Sequence, residues 1–175
     1  IDIFDRHLYQ KGGAVLHMLR GELGYARFWR SIGEYVLRNS QGSVETIDLI
    51  RAIEEATGRN MRRFFDQWVF GAGYPQLEIS VTWDGQRKIA TLNIDQKQPI
   101  DEADPPFDFD VDVAFAPAAG EERRIRAHVE RAHESVAVAL DFEPVVVRFD
   151  PGSFLLADVR YRLGADLSAA VLERD

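Results

Sequence analysis

The apolar residues of this chain change period at Pro75, from helical spacing before it to strict alternation after it. A chain with both periods must build two kinds of layer. Over 9–23, Val15, Leu16, Met18, Leu19 and Leu23 recur at helical spacing, and Gly24 stands where a left-handed helix end costs least. A second helical run through Phe28, Trp29, Ile32, Tyr35, Val36 and Leu37 stops in Asn39-Ser40-Gln41-Gly42-Ser43. Thr46 is expected to cap a third helix, striped by Ile47, Leu49, Ile50, Ile53 and Ala56, with Asp48 in its first turn and Gly58 closing it. A short fourth helix carries Met61, Phe64, Phe65, Trp68 and Val69. It ends in Gly71-Ala72-Gly73-Tyr74-Pro75, because proline cannot continue a helix and restricts the residue before it.

Beyond Pro75, Leu77, Ile79, Val81 and Trp83 alternate with polar residues up to a hairpin signal at Asp84-Gly85, and the partner strand returns over 89–94. Phe107, Phe109, Val111, Val113 and Phe115 alternate with Asp108, Asp110 and Asp112, and further strands are expected over 122–129, 136–140 and 145–149. The expected fold class is α+β. A helical subdomain of about four helices occupies 1–74, a small antiparallel β-sandwich 75–158, and residues 159–175 form a linker and the start of a truncated helical element, helical over 166–174. Trp68, Phe70, Tyr74 and Trp83 are expected near the junction.

At 175 residues and 46% hydrophobic content, the chain is long and apolar enough for a core. Its net charge of −8, with the acidic excess almost wholly after Pro75, is the opposite of a nucleic-acid footprint. Without cysteine there is no disulfide, thiol nucleophile or thiolate metal site, which fits a cytoplasmic location. No apolar run approaches the length of a membrane span. The chain opens at Ile1, so the expectation is a piece excised from something longer.

Four histidines, His7, His17, His128 and His133, are the first candidates for chemistry. A zinc-peptidase HExxH needs two imidazoles on one helical face with a glutamate as general base. His133-Glu134-Ser135-Val136-Ala137 starts that way but has Ala137 in place of the second histidine and lies among strands. His17 has neither carboxylate nor histidine one turn away and reads as a packed or rim histidine. No metal site follows from these residues. The alternating Asp108, Asp110 and Asp112 could hold a hard cation such as calcium. Val113 stands where an EF-hand loop needs glycine, however, and a solvated strand face that blunts edge-to-edge pairing is the simpler reading. Neither a serine-nucleophile elbow nor a phosphate loop is present. Tyr9-Gln10-Lys11-Gly12-Gly13-Ala14 opens a helix with a phenol that can donate to a developing oxyanion, and its paired glycines would allow close approach to another element. A tyrosine at a helix start is also, more simply, an amphipathic cap.

The order of Tyr9-Gln10-Lys11-Gly12-Gly13-Ala14, Leu23-Gly24, Phe28-Trp29, Gly58 and Phe64-Phe65-Asp66-Gln67-Trp68-Val69-Phe70-Gly71-Ala72-Gly73-Tyr74-Pro75 resembles the aminopeptidase N family of gluzincin zinc metallopeptidases. The close resemblance covers nearly half the chain. Phe149-Asp150-Pro151-Gly152 and Leu155-Leu156 are similar, more loosely, to the β-sandwich that follows in many members. The resemblance implies the C-terminal part of a catalytic domain plus that sandwich, with Tyr9 at the position of the family's catalytic tyrosine. It also implies zinc held by upstream residues of a full-length parent, with none in this piece, and peptides as substrates. The partners it implies are an upstream catalytic half and a downstream helical domain of the same chain. By itself the piece would be inert. Two other functions stay open: a family relative that has lost catalysis and serves as an interaction scaffold, or a free-standing binding module with a calcium-dependent acidic face.

Overall fold

In the computed structural model, residues 6–102 and 104–162 are described, with the side chains of residues 6–8 left aside. They fall into two compact units that divide between Gly73 and Tyr74. The first is helical: α1 (Arg6–Leu23), α2 (Tyr25–Asn39), α3 (Thr46–Thr57) and α4 (Arg62–Phe65), the last running directly into a π-helical turn (Asp66–Phe70). Its core joins Leu19 and Leu23 of α1, Phe28 of α2, Ile50 and Ile53 of α3, and Met61 and Phe65. Those of α1, α2 and α3 lie on the apolar stripe of their own helix, which is why the helical period is legible before Pro75.

Gly24 separates α1 from α2 with a backbone φ of 77°. A side chain there would be strained, whereas glycine adopts it freely. The Gly24 N–H donates to the Arg20 carbonyl and the Gly24 carbonyl accepts from Phe28, so one residue serves both helices. The cap of α3 is Glu45, one residue before the expected Thr46. The Glu45 N–H donates to the Asp48 carboxylate at 3.0 Å, and this reciprocal bond decides the start of the helix. The apolar run on α2 is wider than its buried face: Phe28 is buried, while Tyr25, Trp29, Val36 and Leu37 are exposed within this unit.

The second unit has a four-stranded sheet in the order β5-β2-β1-β7 and a three-stranded sheet in the order β4-β3-β6. The strands are β1 (Gln76–Asp84), β2 (Ile89–Gln96), β3 (Phe109–Ala116), β4 (Arg123–Val129), β5 (His133–Ala139), β6 (Val146–Phe149) and β7 (Asp158–Tyr161). Inward residues alternate along them, among them Leu77, Ile79 and Val81 on β1, Leu92 and Ile94 on β2, and Phe109, Val111 and Val113 on β3. The α+β class, four helices followed by a sandwich, holds.

The unit departs from its sequence reading in two places. Residues 159–161, expected to begin a linker, complete β7 instead, and β7 pairs with β1 in parallel. A four-residue strand is too short to show a period, and a parallel partner is set by where the connection from β6 delivers the chain rather than by local pattern. That connection is held by Asp150, whose carboxylate accepts from the N–H groups of Phe154 and Leu155. The acidic strand β3 is the centre of its sheet, so its aspartates do not guard an edge; β4 and β6 occupy the edges. The helical tail expected over 166–174 lies outside the described residues. Among the described residues, no helix is long and apolar enough to cross a membrane.

Candidate functional site

Helix α1 presents different residues on different sides. Val15, Met18 and Leu19 are buried, while Tyr9 is 68% exposed near the N-terminal end. Lys11 points the other way and is half-buried; its Nζ donates to the Gly71 carbonyl at 3.3 Å, across 60 residues of sequence. Gly71 ends the π turn, its N–H donating to the Asp66 carbonyl at 2.7 Å. A Cβ at Gly71 would lie 2.6 Å from the Gln67 carbonyl oxygen, closer than side-chain carbons approach backbone. Close approach therefore falls at Gly71, and not at the paired glycines of α1. A Cβ at Gly12 or Gly13 would meet nothing within 4 Å.

The histidines do not converge. His17 Nδ1 accepts from the guanidinium of Arg20 beside it on α1 at 2.9 Å. His133 and Glu134 begin β5, where neighbouring side chains point to opposite faces. His133 pairs with Asp95 of β2 at 2.7 Å, so the HExxH-like start cannot gather two of its members on one side. The side chain of His7 lies outside the described residues. Among the described residues, no group of three histidines, cysteines or carboxylates could hold a metal ion.

The aspartates of β3 stand opposite basic side chains of β4 in register, Asp110 across from His128 and Asp112 across from Arg126. His128 Nδ1 lies 2.9 Å from Asp110, and its Nε2 lies 3.6 Å from both Asp108 and Glu130. The hydrogen bond to Asp110, aided by the charges of Asp108 and Glu130, raises the His128 pKa above the usual imidazole value. Further along the same face, Glu122 is held below the usual carboxylate range, first by its hydrogen bond from Arg124 and then by Arg148.

A pH dependence follows from His128. Because its folded pKa is raised, its contribution is complete below about pH 6.5 and is lost as pH rises through the elevated value. The imidazole is largely exposed, so the contribution stays within about 1 kcal/mol. The melting temperature of the chain should exceed that of His128→Gln at pH 5.5, and the gap should narrow by pH 9. A gap independent of pH would contradict this.

An open groove of about 590 Å³ in the β unit is lined by Arg87, Lys88 and Arg123 and by Glu121, Glu122 and Asp141. It mixes both signs of charge and includes none of the residues singled out from sequence. Tyr9, singled out from sequence, is exposed on a helix whose opposite side is fastened by Lys11.

Residues 1–68 match the Peptidase family M1 domain. This stretch is M1 peptidase sequence. Similar proteins include Tricorn protease-interacting factor F2 of Thermoplasma volcanium, 35% identical over 85 residues, covering 49% of this chain and 11% of that protein. Aminopeptidase M1-A of Oryza sativa subsp. japonica is 32% identical over 80 residues, covering 46% of this chain and 9% of that one. Aminopeptidase 2, mitochondrial, of Saccharomyces cerevisiae is 34% identical over 87 residues, covering 50% and 9%. The chain thus spans about a tenth of the length of these M1 relatives. Among solved structures, Legionella pneumophila aminopeptidase A in complex with aspartic acid matches 92% of this chain with a TM-score of 0.71 at 16% identity, covering 18% of that chain. That likeness concerns the fold and takes in strands as well as helices. The aminopeptidase N resemblance carried by the stretch from Tyr9 to Pro75 is borne out.

Proposed function

We infer that the chain is the C-terminal part of the catalytic domain, with its following β-sandwich, of a zinc aminopeptidase that removes N-terminal residues from peptides in the cytoplasm. The observation that carries this reading is Tyr9, which heads the Tyr-x-Lys-Gly stretch of the M1-matched segment and holds its phenol 68% exposed. Attack on a peptide carbonyl places growing negative charge on its oxygen. A phenol O–H aimed at that oxygen donates a bond that is stronger in the transition state than in the ground state, and such a bond raises turnover. The described residues do not fit a zinc site, so the metal of the proposed enzyme is held by other residues, and this chain contributes the oxyanion donor.

The consequence for the isolated chain is direct. A donor without a water-activating centre has nothing to stabilise, so the 175-residue chain should hydrolyse no aminoacyl chromogenic substrate. A catalytic zinc needs about three protein ligands, so calorimetric titration should show no stoichiometric zinc of submicromolar affinity. Measurable turnover, or tight one-to-one zinc binding, would show that the chain contains a centre of its own and would overturn this reading. Calcium titrated alongside tests the Asp108, Asp110 and Asp112 face, whose carboxylates are already engaged by Arg126 and His128. Weak or no binding is expected.

A further inference from the structure

We propose that Lys11 is a positioning residue for Tyr9, setting the rotation of α1 about its own axis by fastening that helix to the carbonyl of Gly71. The proposal rests on the oxyanion role of Tyr9. Residues two apart on an α-helix are separated by about 200° around the axis, so a contact made by Lys11 lies on the side opposite Tyr9. That contact is the 3.3 Å hydrogen bond from Lys11 Nζ to the Gly71 carbonyl.

Gly71 is suited to the task in two ways. It follows the π turn in an extended conformation, φ −72° and ψ 154°, so its carbonyl lies outside the turn and accepts from a side chain, that of Lys11. The chain leaves the π turn through a position where a Cβ would meet the Gln67 oxygen at 2.6 Å, so only glycine turns there without displacing the backbone. π turns are rare and recur at functional sites. The lysine of the first motif and the first glycine of the Gly71-Ala72-Gly73-Tyr74-Pro75 motif are therefore two halves of one contact.

The leverage is large because Tyr9 lies beyond the core contacts of α1. A side-chain tip about 6 Å from a helix axis moves by about 1 Å when the helix turns by about 10°. A misplacement of about 1 Å at a reacting group can cost on the order of 100-fold in rate. Releasing Lys11 should thus mimic a partial loss of the Tyr9 hydroxyl without touching it.

The test uses the full-length enzyme that contains this chain. Lys11→Met should lower kcat by about 10-fold to 100-fold with KM nearly constant. Lys11→Arg, which can still donate to Gly71, should recover most of the loss. In a Tyr9→Phe background, Lys11→Met should change kcat by less than about twofold, because residues acting through one group are not additive. An equal loss in both backgrounds, or an unaffected kcat in Lys11→Met beside an impaired Tyr9→Phe, would overturn the proposal. If Tyr9→Phe alone turns over normally, the oxyanion reading fails, and positioning fails with it. Should Lys11→Met not fold, Lys11→Gln takes its place, with an intermediate loss expected and no loss counting against it. In the 175-residue chain, the amide resonance of Ala72, which shares its peptide with the Gly71 carbonyl, should shift in Lys11→Met and return in Lys11→Arg. No shift would show that the contact does not form in solution.

Discussion

Gln96→Leu should lower the stability of the β unit by about 3 to 5 kcal/mol. Gln96 ends the inward stripe of β2, in phase with Leu92 and Ile94, and is 5% exposed. Its amide does what backbone would otherwise have to do. Nε2 donates to the Phe107 carbonyl at 2.8 Å and to the Arg131 carbonyl at 3.2 Å, while Oε1 accepts from the Phe107 N–H at 2.9 Å and from Gln98 at 2.7 Å. Phe107 lies two residues before β3, so one side chain ties β2 to the approach of β3 through both backbone groups of a buried residue. Leucine fills the space but removes the hydrogen bonds Gln96 supplies to those groups, at about 1 to 3 kcal/mol each. For a unit of this size, that corresponds to roughly 10 to 30 °C in melting temperature. Gln96→Glu provides a sharper comparison. Its carboxylate can still accept from Phe107 N–H but faces two carbonyls it cannot donate to, so its folded pKa is raised. The variant should be weak at neutral pH and regain stability as pH falls and the acid becomes a donor. Thermal melts of the chain, with hydrogen exchange of β3 amides as the local readout, check both; a drop under about 1 kcal/mol for Gln96→Leu would mean that water replaces the amide.

This bridge also shows what the sequence could and could not convey. The stripes Leu77, Ile79, Val81 and Leu92, Ile94 announce strands because a half-buried sheet forces alternation. A polar residue in phase with such a stripe reads as its end, and Gln96 was passed over for that reason. The start of β5 at His133 rather than Val136 is set by pairing with β2, Asp95 across from His133, and not by any alternation in His133-Glu134-Ser135. β7 carries no local signal because its partner, β1, lies some 80 residues away in the chain.

In the helical unit the same limit applies to the site. Tyr9 stands out in the sequence because a short motif carries it, and the structure leaves it exposed. Lys11 was quoted in that motif without a role, since its partner Gly71 is 60 residues away. The paired glycines Gly12 and Gly13 suggested a close approach that the described residues do not make, whereas the demanding glycine is Gly71. Periodicity likewise overstated the core on α2, where Trp29, Val36 and Leu37 follow the helical run but lie exposed in this unit.

Tyr9→Phe in the full-length enzyme should lower kcat by about 100-fold to 1,000-fold, or about 3 to 4 kcal/mol of transition-state stabilisation. The substitution keeps the ring and removes one hydroxyl donor. Because that donor acts on charge that develops during the reaction, KM should change little. Stability should hardly move, since the Tyr9 side chain is 68% exposed and the hydroxyl takes part in no core packing. A purely structural tyrosine would give the reverse pattern, with turnover retained and at most about 1 kcal/mol of stability lost. The deciding measurement is kcat and KM of Tyr9→Phe beside its melting temperature and metal content. A fall in kcat of at least about 100-fold, with the other quantities unchanged, is the outcome required by an oxyanion donor. Near-normal turnover in a folded, metal-loaded variant would contradict the assignment of Tyr9.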